Sequence, residues 1–531
     1  MKIDYPPKRP VRFFNTTGPC FPWDHYTLPP AERFVDAQLD RYVKDSLYWV
    51  LHAPRQTGKT TFLQSWAREI NASGEAAACY ITLERCQMLV EPERCMPGLC
   101  NAIQEHAYSA GLPIPEVQTT VPSGMLREIL RKFSEIVAPK PLVLMLDEAD
   151  ALEGEAMISF LRQLRDGFMG RGIGKFPVSI ALVGMRDLKD YITAAKGGVP
   201  PSPMSPFNIK EDSIFLGNFS RDDVQNLFAQ RTEETGQQIA EDALDYVWEQ
   251  SMGQPWIVNS LFKRATMRIL KSDDYSTVTI EHIKTAREKM ILARETHLDS
   301  LAVRLGEPNI RKFMEKFFVG DSEPGLIESD ACRRCLDMGL IRLERNSPKI
   351  ANPIYREVLA REITYSPQAA IPDPEDEDSG WQWQNPDGSL DMDTLLREFQ
   401  AFWRRHSEIW EEKSDYTEAF PHLLLMAFLQ RVLNGGGHIE REYAAGRGRM
   451  DLAVEYNNKT YIIEIKLIRS YDTPAEVRSD GLRQITRYRD KIDKNAPAYL
   501  VIFDRRAETK KKPWDERISW ETEGEIAVLR C

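Results

Sequence analysis

The stretch 53-APRQTGKT-60, set between the apolar run 47-LYWVLH-52 and the helix-forming 60-TTFLQSWAREIN-71, decides the fold of the first half of this chain. It fits the phosphate-binding pattern G-x-x-x-x-G-K-[ST], with Ala53 in place of the first glycine. Strand, loop and helix in that order are the setting the pattern needs. Backbone N–H groups of residues 55–60 would wrap a β-phosphate at a helix N-terminus, where the helix dipole favours an anion. Pro54, Arg55, Gln56, Thr57 and Thr61 belong to the same ATP-binding turn. Gly58 admits close approach of the backbone, Lys59 would bridge the β- and γ-phosphates, and the Thr60 hydroxyl would ligate Mg2+. The Ala53 departure is mild, because the neighbouring backbone donors remain.

Further runs of the same kind follow: 77-AACYITL-83, 142-LVLMLD-147, 178-VSIALVG-184 and 213-SIFLG-217, separated by helical stretches. Continuous rather than alternating apolar runs mark strands buried on both faces, so a mostly parallel sheet covered by helices is expected. Asp147 and Glu148 end the most apolar run, where a parallel sheet aims carboxylates at its ligand crevice. Asp147 would hold the Mg2+ through water, and Glu148 would orient or deprotonate the attacking water. A plain strand followed by an acidic helix cap is the alternative. Arg186, just past the next strand in 184-GMRDL-188, is placed to sense a γ-phosphate, and a surface Arg-Asp turn explains it almost as well.

A chain of 531 residues is too long for one core and implies two to four domains. No uninterrupted apolar run reaches about 18 residues, and the start MKIDYPPKRPVRFFN lacks the apolar stretch of a signal peptide. No membrane association and a cytoplasmic location are therefore expected. The eight cysteines lack a compact spacing; the one CxxC, Cys332 to Cys335, has no second pair or nearby histidines to complete a metal site. A net charge of −11 argues against indiscriminate polyanion binding by the whole molecule. From His438 to the end, however, 19 Lys plus Arg face 17 Asp plus Glu, so nucleic acid remains open as a partner of that part.

Past the sheet the pattern turns helical, as in 221-RDDVQNLFAQRTEETG-236, which opens with acids and stops at glycine. The hairpin-like 339-GLIRLERNSPKIAN-352 suggests a small winged helix. Residues 366–391 are rich in Pro, Asp, Glu, Ser and Gly, the composition of an exposed linker. The expected division is 1–217 nucleotide core with N-terminal extension, 218–300 helical lid, 301–365 winged-helix-like, 366–392 linker and 393–531 a separate domain.

The loop, the Asp147-Glu148 strand end and 252-MGQPWIVNSL-261 with its G-x-P together resemble prokaryotic AAA-like ATPases of the AAA/STAND group. The resemblance implies that 13-FFNTTGPCFPWDHYTLPP-30 lines the adenine pocket, with His25 and Tyr26 as candidate base contacts.

In the β-rich end, 449-RMDLAVEYNNKTYIIEIKL-467, two alternating runs flank Asn457-Asn458, which tolerate positive φ. Counting outward from that turn pairs Tyr456 with Lys459 and sets Asp451 opposite Glu464, about 5 Å apart at Cβ. Lys466 shares the face of Glu464, while Leu452, Val454, Tyr461, Ile463 and Ile465 point into a core. Facing carboxylates repel unless a cation lies between them, and a lysine beside them can stabilise developing phosphate charge. An exposed hairpin with a charge ladder is the plain alternative. The constellation D-(x12)-E-x-K resembles the PD-(D/E)xK nuclease superfamily, with Met450 where the leading proline would stand. That resemblance implies an α/β restriction-endonuclease-like fold, Mg2+ or Mn2+ held by Asp451, Glu464 and the carbonyl of Ile465, and catalysis by Asp451, Glu464 and Lys466. It also implies supporting places for Glu418, Glu442, Gln484 and Tyr488 and for the turn 446-GRGRMD-451.

The whole then reads as an α/β P-loop ATPase fused to a metal-dependent nuclease acting on DNA, or alternatively RNA, in defence, repair or mobile-element processing. Homo-oligomerisation is compatible with it. The rival readings are a STAND-like nucleotide switch whose C-terminal domain binds nucleic acid without cutting it, or a scaffold.

Overall fold

A computed structural model describes residues 11–29, 33, 39–185, 210–271, 273–293, 296–318, 329–345, 347–369, 383, 385–411, 420–433, 437–443, 450–457, 459–469, 471–491, 493–504 and 506–531. The chain falls into two compact units, one of Met1–Glu295 with Leu336–Ile354 and one of Thr296–Cys335 with Tyr355–Cys531.

The first unit is built on β1 (Tyr48–His52), β2 (Ala77–Thr82), β3 (Leu142–Asp147), β4 (Ser179–Gly184) and β5 (Lys210–Phe215), ordered β2-β3-β4-β1-β5 with every neighbouring pair parallel. The continuous apolar runs have a direct cause. Leu142, Leu144 and Leu146 of β3 enter one core with Val50, Cys79 and Ile180. Val143 and Met145 enter a second core on the opposite face with Trp49, Leu51 and Val183. Period-two side chains thus find hydrocarbon on both sides. Edge strand β5 begins at Lys210, before the expected Ser213.

Because β1, β3 and β4 are parallel, their C-terminal ends share one edge of the sheet, which brings the loop after β1 beside Asp147 and Glu148. The helix Lys59–Ser73 follows that loop. The helices Arg221–Thr235, Glu241–Ser251, Pro255–Arg264 and Ile280–Leu292, in the stretch expected as a lid, come next in the chain. The first has a reciprocal cap: Ser220 Oγ accepts from Asp223 N, and Asp223 Oδ2 accepts from Ser220 N. A hairpin, β6 (Ile341–Glu344) and β7 (Ser347–Ile350), forms at the expected place.

The second unit carries a six-stranded mixed sheet of β8 (Gly437–Tyr443), β9 (Met450–Tyr456), β10 (Lys459–Ile468), β11 (Ala498–Asp504), β12 (Ser519–Glu523) and β13 (Ile526–Arg530), ordered β12-β13-β11-β10-β9-β8. The stretch 366–392, expected as linker throughout, includes a folded piece at its end. Asn457 Nδ2 donates to Gly388 O at 2.7 Å, Tyr461 Oη to Leu390 O at 2.8 Å, and Lys459 Nζ pairs with Asp387 at 2.9 Å. These bonds hold the chain just before the helix Met392–Glu411 against the β9–β10 hairpin. Residues 370–382 lie outside the described residues. All eight cysteines are free thiols, and Cys332 and Cys335 are buried on the helix Asp330–Asp337. No described helix is long and apolar enough to cross a membrane.

Candidate functional site

At the β1 end, the loop takes two left-handed residues, Gln56 at φ 58° and Gly58 at φ 94°. Gly58 is needed twice over: its φ disfavours a side chain, and a Cβ there would lie 3.1 Å from an Arg33 guanidinium nitrogen. Ala53 is not among the residues with positive φ, so its methyl group costs no backbone strain. Lys59 is buried, its Nζ donating to the carbonyls of Ala53 at 2.8 Å and Pro54 at 2.9 Å. An ammonium has three protons, so a donor remains for a phosphate. Burial pulls the Lys59 pKa down, against the raising pull of Asp147 and Glu148.

Thr60 Oγ1 donates to Asp147 Oδ2 at 2.7 Å, and Tyr80 Oη donates to the same oxygen at 3.2 Å. Asp147 Oδ1 accepts from Glu148 N at 3.0 Å. Burial raises the Asp147 pKa, and burial then the like charges of Asp150 and Asp147 raise that of Glu148. Glu148 holds φ 56°, a left-handed conformation that costs a non-glycine residue about 1 kcal/mol. Two carboxylates that resist ionisation beside a hydroxyl and a buried ammonium suit a hydrated divalent cation; Thr60 and Asp147 would hold it.

Lys59, Thr60 and Glu148 open on a cavity of about 420 Å³, with Asp147 buried behind them. Pro54 does not line it, whereas Arg55 to Thr61 all do. The far wall comes from the N-terminal extension and the lid, which are tied together. Trp256 Nε1 donates to Thr16 O at 3.0 Å, and the Gln230 amide bridges the backbone N–H and carbonyl of Thr27 at 3.3 and 3.0 Å. Of the two candidate base contacts, Tyr26 lines the cavity. His25 does not: its Nδ1 accepts from Phe21 N at 2.9 Å within a local turn. Arg186 lies outside the described residues.

Two residues that support the site had no signature in sequence. Arg33 donates to Thr57 O at 2.7 Å and to Gly217 O, linking the loop to the end of the sheet; burial lowers its pKa to about 10. Tyr80, on β2, supplies the second hydrogen bond to Asp147.

The second site is the β9–β10 hairpin, whose register is Lys459 with Tyr456 and Glu464 with Asp451, as the turn predicts. Asn457 takes φ 46°. The backbone of Glu442 on β8 faces Asp451 in turn. Glu418 and the turn at 446–449 lie outside the described residues. The face of β10 that carries Glu464 and Lys466 is covered rather than exposed: both side chains are 0% accessible. The helix Pro474–Lys491 lies over it, joining Val477 and Ile485 to a core with Ile462 and Leu500. Gly481 lets that helix approach, since a Cβ there would meet Leu500 Cδ1 at 2.6 Å.

Lys466 Nζ is shared by three groups: an ion pair with Glu464, a hydrogen bond to Gln484 Oε1, and Asp480 Oδ2 at 3.5 Å. Gln484 Nε2 also donates to Asp480 Oδ2, at 3.2 Å. Gln484 therefore stands where the sequence put it, and Asp480 was missed, although its spacing of four residues from Gln484 sets both on one helical face. Both Glu464 oxygens are buried and accept no hydrogen bond from any described residue, with Lys466 Nζ as the neighbouring charge. A buried carboxylate so placed, with Asp451 opposite in register, suits a hard divalent cation, and the backbone carbonyl of Ile465 lies between the two side chains in sequence.

Residues 44–192 match the AAA domain family, and residues 416–502 match the PD-(D/E)XK nuclease superfamily. Among solved structures, a Walker-type ATPase of Pyrococcus abyssi matches at 15% identity and TM-score 0.46, over 65% of this chain and 99% of that one. The ORC2 protein of Aeropyrum pernix matches at 13% identity and TM-score 0.37, over 63% and 93%. The RuvB Holliday junction branch migration motor of Thermotoga maritima matches at 13% identity and TM-score 0.32, over 62% and 93%. No curated protein gives a significant match.

Proposed function

We propose that this chain, which joins an AAA-type ATPase domain to a PD-(D/E)XK nuclease-superfamily domain, binds and hydrolyses ATP at the first site and cuts nucleic acid at the second. The observation that carries the nuclease half is Glu464, a fully buried carboxylate that accepts no hydrogen bond from any described residue and is ion-paired to Lys466. A stability-driven sequence would fill such a position with hydrocarbon, because an ion pair buried in this way returns little net stability.

At the first site, Lys59 and the loop N–H groups bind the phosphates, Thr60 and Asp147 hold the cation, and Glu148 orients water and accepts its proton. The raised Glu148 pKa makes it a better base than a solvated carboxylate. At the second, Asp451, Glu464 and the Ile465 carbonyl hold Mg2+ or Mn2+. Such an ion would supply Lewis-acid charge to the reaction. Lys466, fixed by Asp480 and Gln484, faces the charge that develops on the phosphate in the transition state.

The domain division that goes with this reading is core 1–217, lid 218–300, winged-helix-like 301–365, linker 366–392, whose last residues pack on the hairpin, and nuclease-like 393–531, in the cytoplasm. DNA is the favoured substrate, with RNA the alternative, and assembly of several copies suits an engine of this class. The test is incubation of the purified chain with single- and double-stranded DNA and RNA, with Mg2+ or Mn2+, with and without ATP. Cleavage that is lost in Glu464→Ala supports the reading, and no cleavage of any of them under any condition removes it.

A further inference from the structure

Lys59, Thr60, Glu148 and Asp150 give the nucleotide cavity a charged and polar lining, and Tyr26, Leu28, Leu227, Pro255 and Asn259 a mostly apolar one. Phosphates belong to the cationic loop, so the base belongs against the apolar lining. Base recognition needs apolar walls and a small number of polar atoms that fix identity. Several polar groups nearby tie the N-terminal extension to the helices after the sheet: the Trp256 indole to Thr16 O, Lys263 Nζ to Thr16 Oγ1 at 2.9 Å, and the Gln230 amide to Thr27. The Tyr26 hydroxyl is buried without a hydrogen bond from any described residue, beside the charges of Arg231 and Glu234.

Asn259 is different. It is 6% exposed, on the helix Pro255–Arg264, and its Nδ2 donates to Pro255 O at 2.8 Å. Its Oδ1 is buried and accepts no hydrogen bond from any described residue. The orientation of the amide is fixed by chemistry: flipping it would set two acceptor oxygens 2.8 Å apart. The outcome is a buried acceptor on a residue that lines the cavity, and a buried acceptor without a donor is costly unless a ligand supplies one.

We propose that Asn259 is the specificity-determining residue for the base: its Oδ1 accepts a hydrogen bond from the exocyclic 6-amino group of adenine. A 6-oxo base such as guanine or hypoxanthine would put a second acceptor against it and be rejected. This rests on the reading of the cavity as the ATP site.

The test measures binding to the full chain by calorimetry for ATP, GTP and purine riboside triphosphate, which lacks the 6-amino group. Wild type binds ATP about tenfold tighter than purine riboside triphosphate, the worth of one buried hydrogen bond, and rejects GTP more strongly. Asn259→Ala loses that same factor for ATP and none for purine riboside triphosphate, so the protein-side and ligand-side deletions are not additive. Equal affinity of wild type for all three ligands overturns the assignment, and this comparison needs no variant, so it decides even if Asn259→Ala fails to fold. An undiminished ATP preference in Asn259→Ala also overturns it. Lys59→Ala separates the two claims: it should bind none of the three ligands, and normal binding would remove the site itself rather than the role of Asn259.

Discussion

Replacing Lys466 by methionine keeps most of the side-chain volume and removes one charge from a place that water does not reach. Lys466 and Glu464 are both 0% accessible, and the ammonium also holds Gln484 Oε1 and faces Asp480 at 3.5 Å. In Lys466→Met without divalent metal, the Glu464 carboxylate stays buried with no opposite charge, and Gln484 loses its donor. Breaking a buried pair by removing one partner costs about 3 kcal/mol or more. Distributed over the sheet of the second unit, that loss should speed amide hydrogen exchange of β10 roughly 150-fold, at 1.36 kcal/mol for each tenfold change. Exchange in β1 to β5 should not change, because they belong to the other unit. Two controls sharpen the result. Glu464→Gln with Lys466→Met should recover most of the protection, since no unpaired charge remains. Saturating Mg2+ or Mn2+ should partly protect Lys466→Met, because an ion bound only by the folded state stabilises it by mass action, by about 2.7 kcal/mol at a hundred times its Kd. Unchanged β10 exchange in the single variant would mean that the pair is solvated or already neutral, and the reasoning would fail.

Three further outcomes are expected. Lys59→Ala should abolish binding of a fluorescent ATP analogue while leaving the circular dichroism spectrum unchanged; wild-type affinity would remove the phosphate assignment. Glu148→Gln should keep ATP binding and lower turnover by about a hundredfold or more, as loss of a positioned base does, with retained turnover in a phosphate-release assay counting against its role. The third is a pH dependence in the second unit. Burial depresses the His297 pKa from 6.5 to about 3, and its Nε2 meets the Tyr355 hydroxyl. The unfolded chain therefore binds the extra proton between those values, so this contribution is complete above pH 6.5 and is lost as pH falls, by about 1.4 kcal/mol at pH 5.5. His297→Phe should flatten that part of the denaturation profile; an identical profile would show that His297 does not carry it.

Much of this could be read directly from residue order. Parallel β1 to β5 follow from runs in which alternate side chains, such as Leu144 and Met145, both needed hydrocarbon. The pairing of Glu464 with Asp451 follows from a two-residue turn at Asn457 and a period of two. What stayed hidden was burial. The alternation in β10 suggested a wet face, but the helix Pro474–Lys491 covers it, and a single strand cannot announce what packs on it from elsewhere in the chain. Asp480, Arg33 and Asn259 were missed for the same reason: each acts through a contact made by the fold, with no motif at its own position. His25 illustrates the converse. A polar ring near the right place in sequence was used for a local turn.

The most direct measurement of the central claim is a calorimetric titration of Mn2+ or Mg2+ into the full chain, paired with a nucleic-acid cleavage assay on the same samples. The account predicts one binding event that is absent in Asp451→Ala and in Glu464→Ala, with cleavage lost in both while ATP hydrolysis in the absence of DNA continues. Metal binding that is indifferent to both substitutions, with no substrate cut by the wild-type chain, would contradict it.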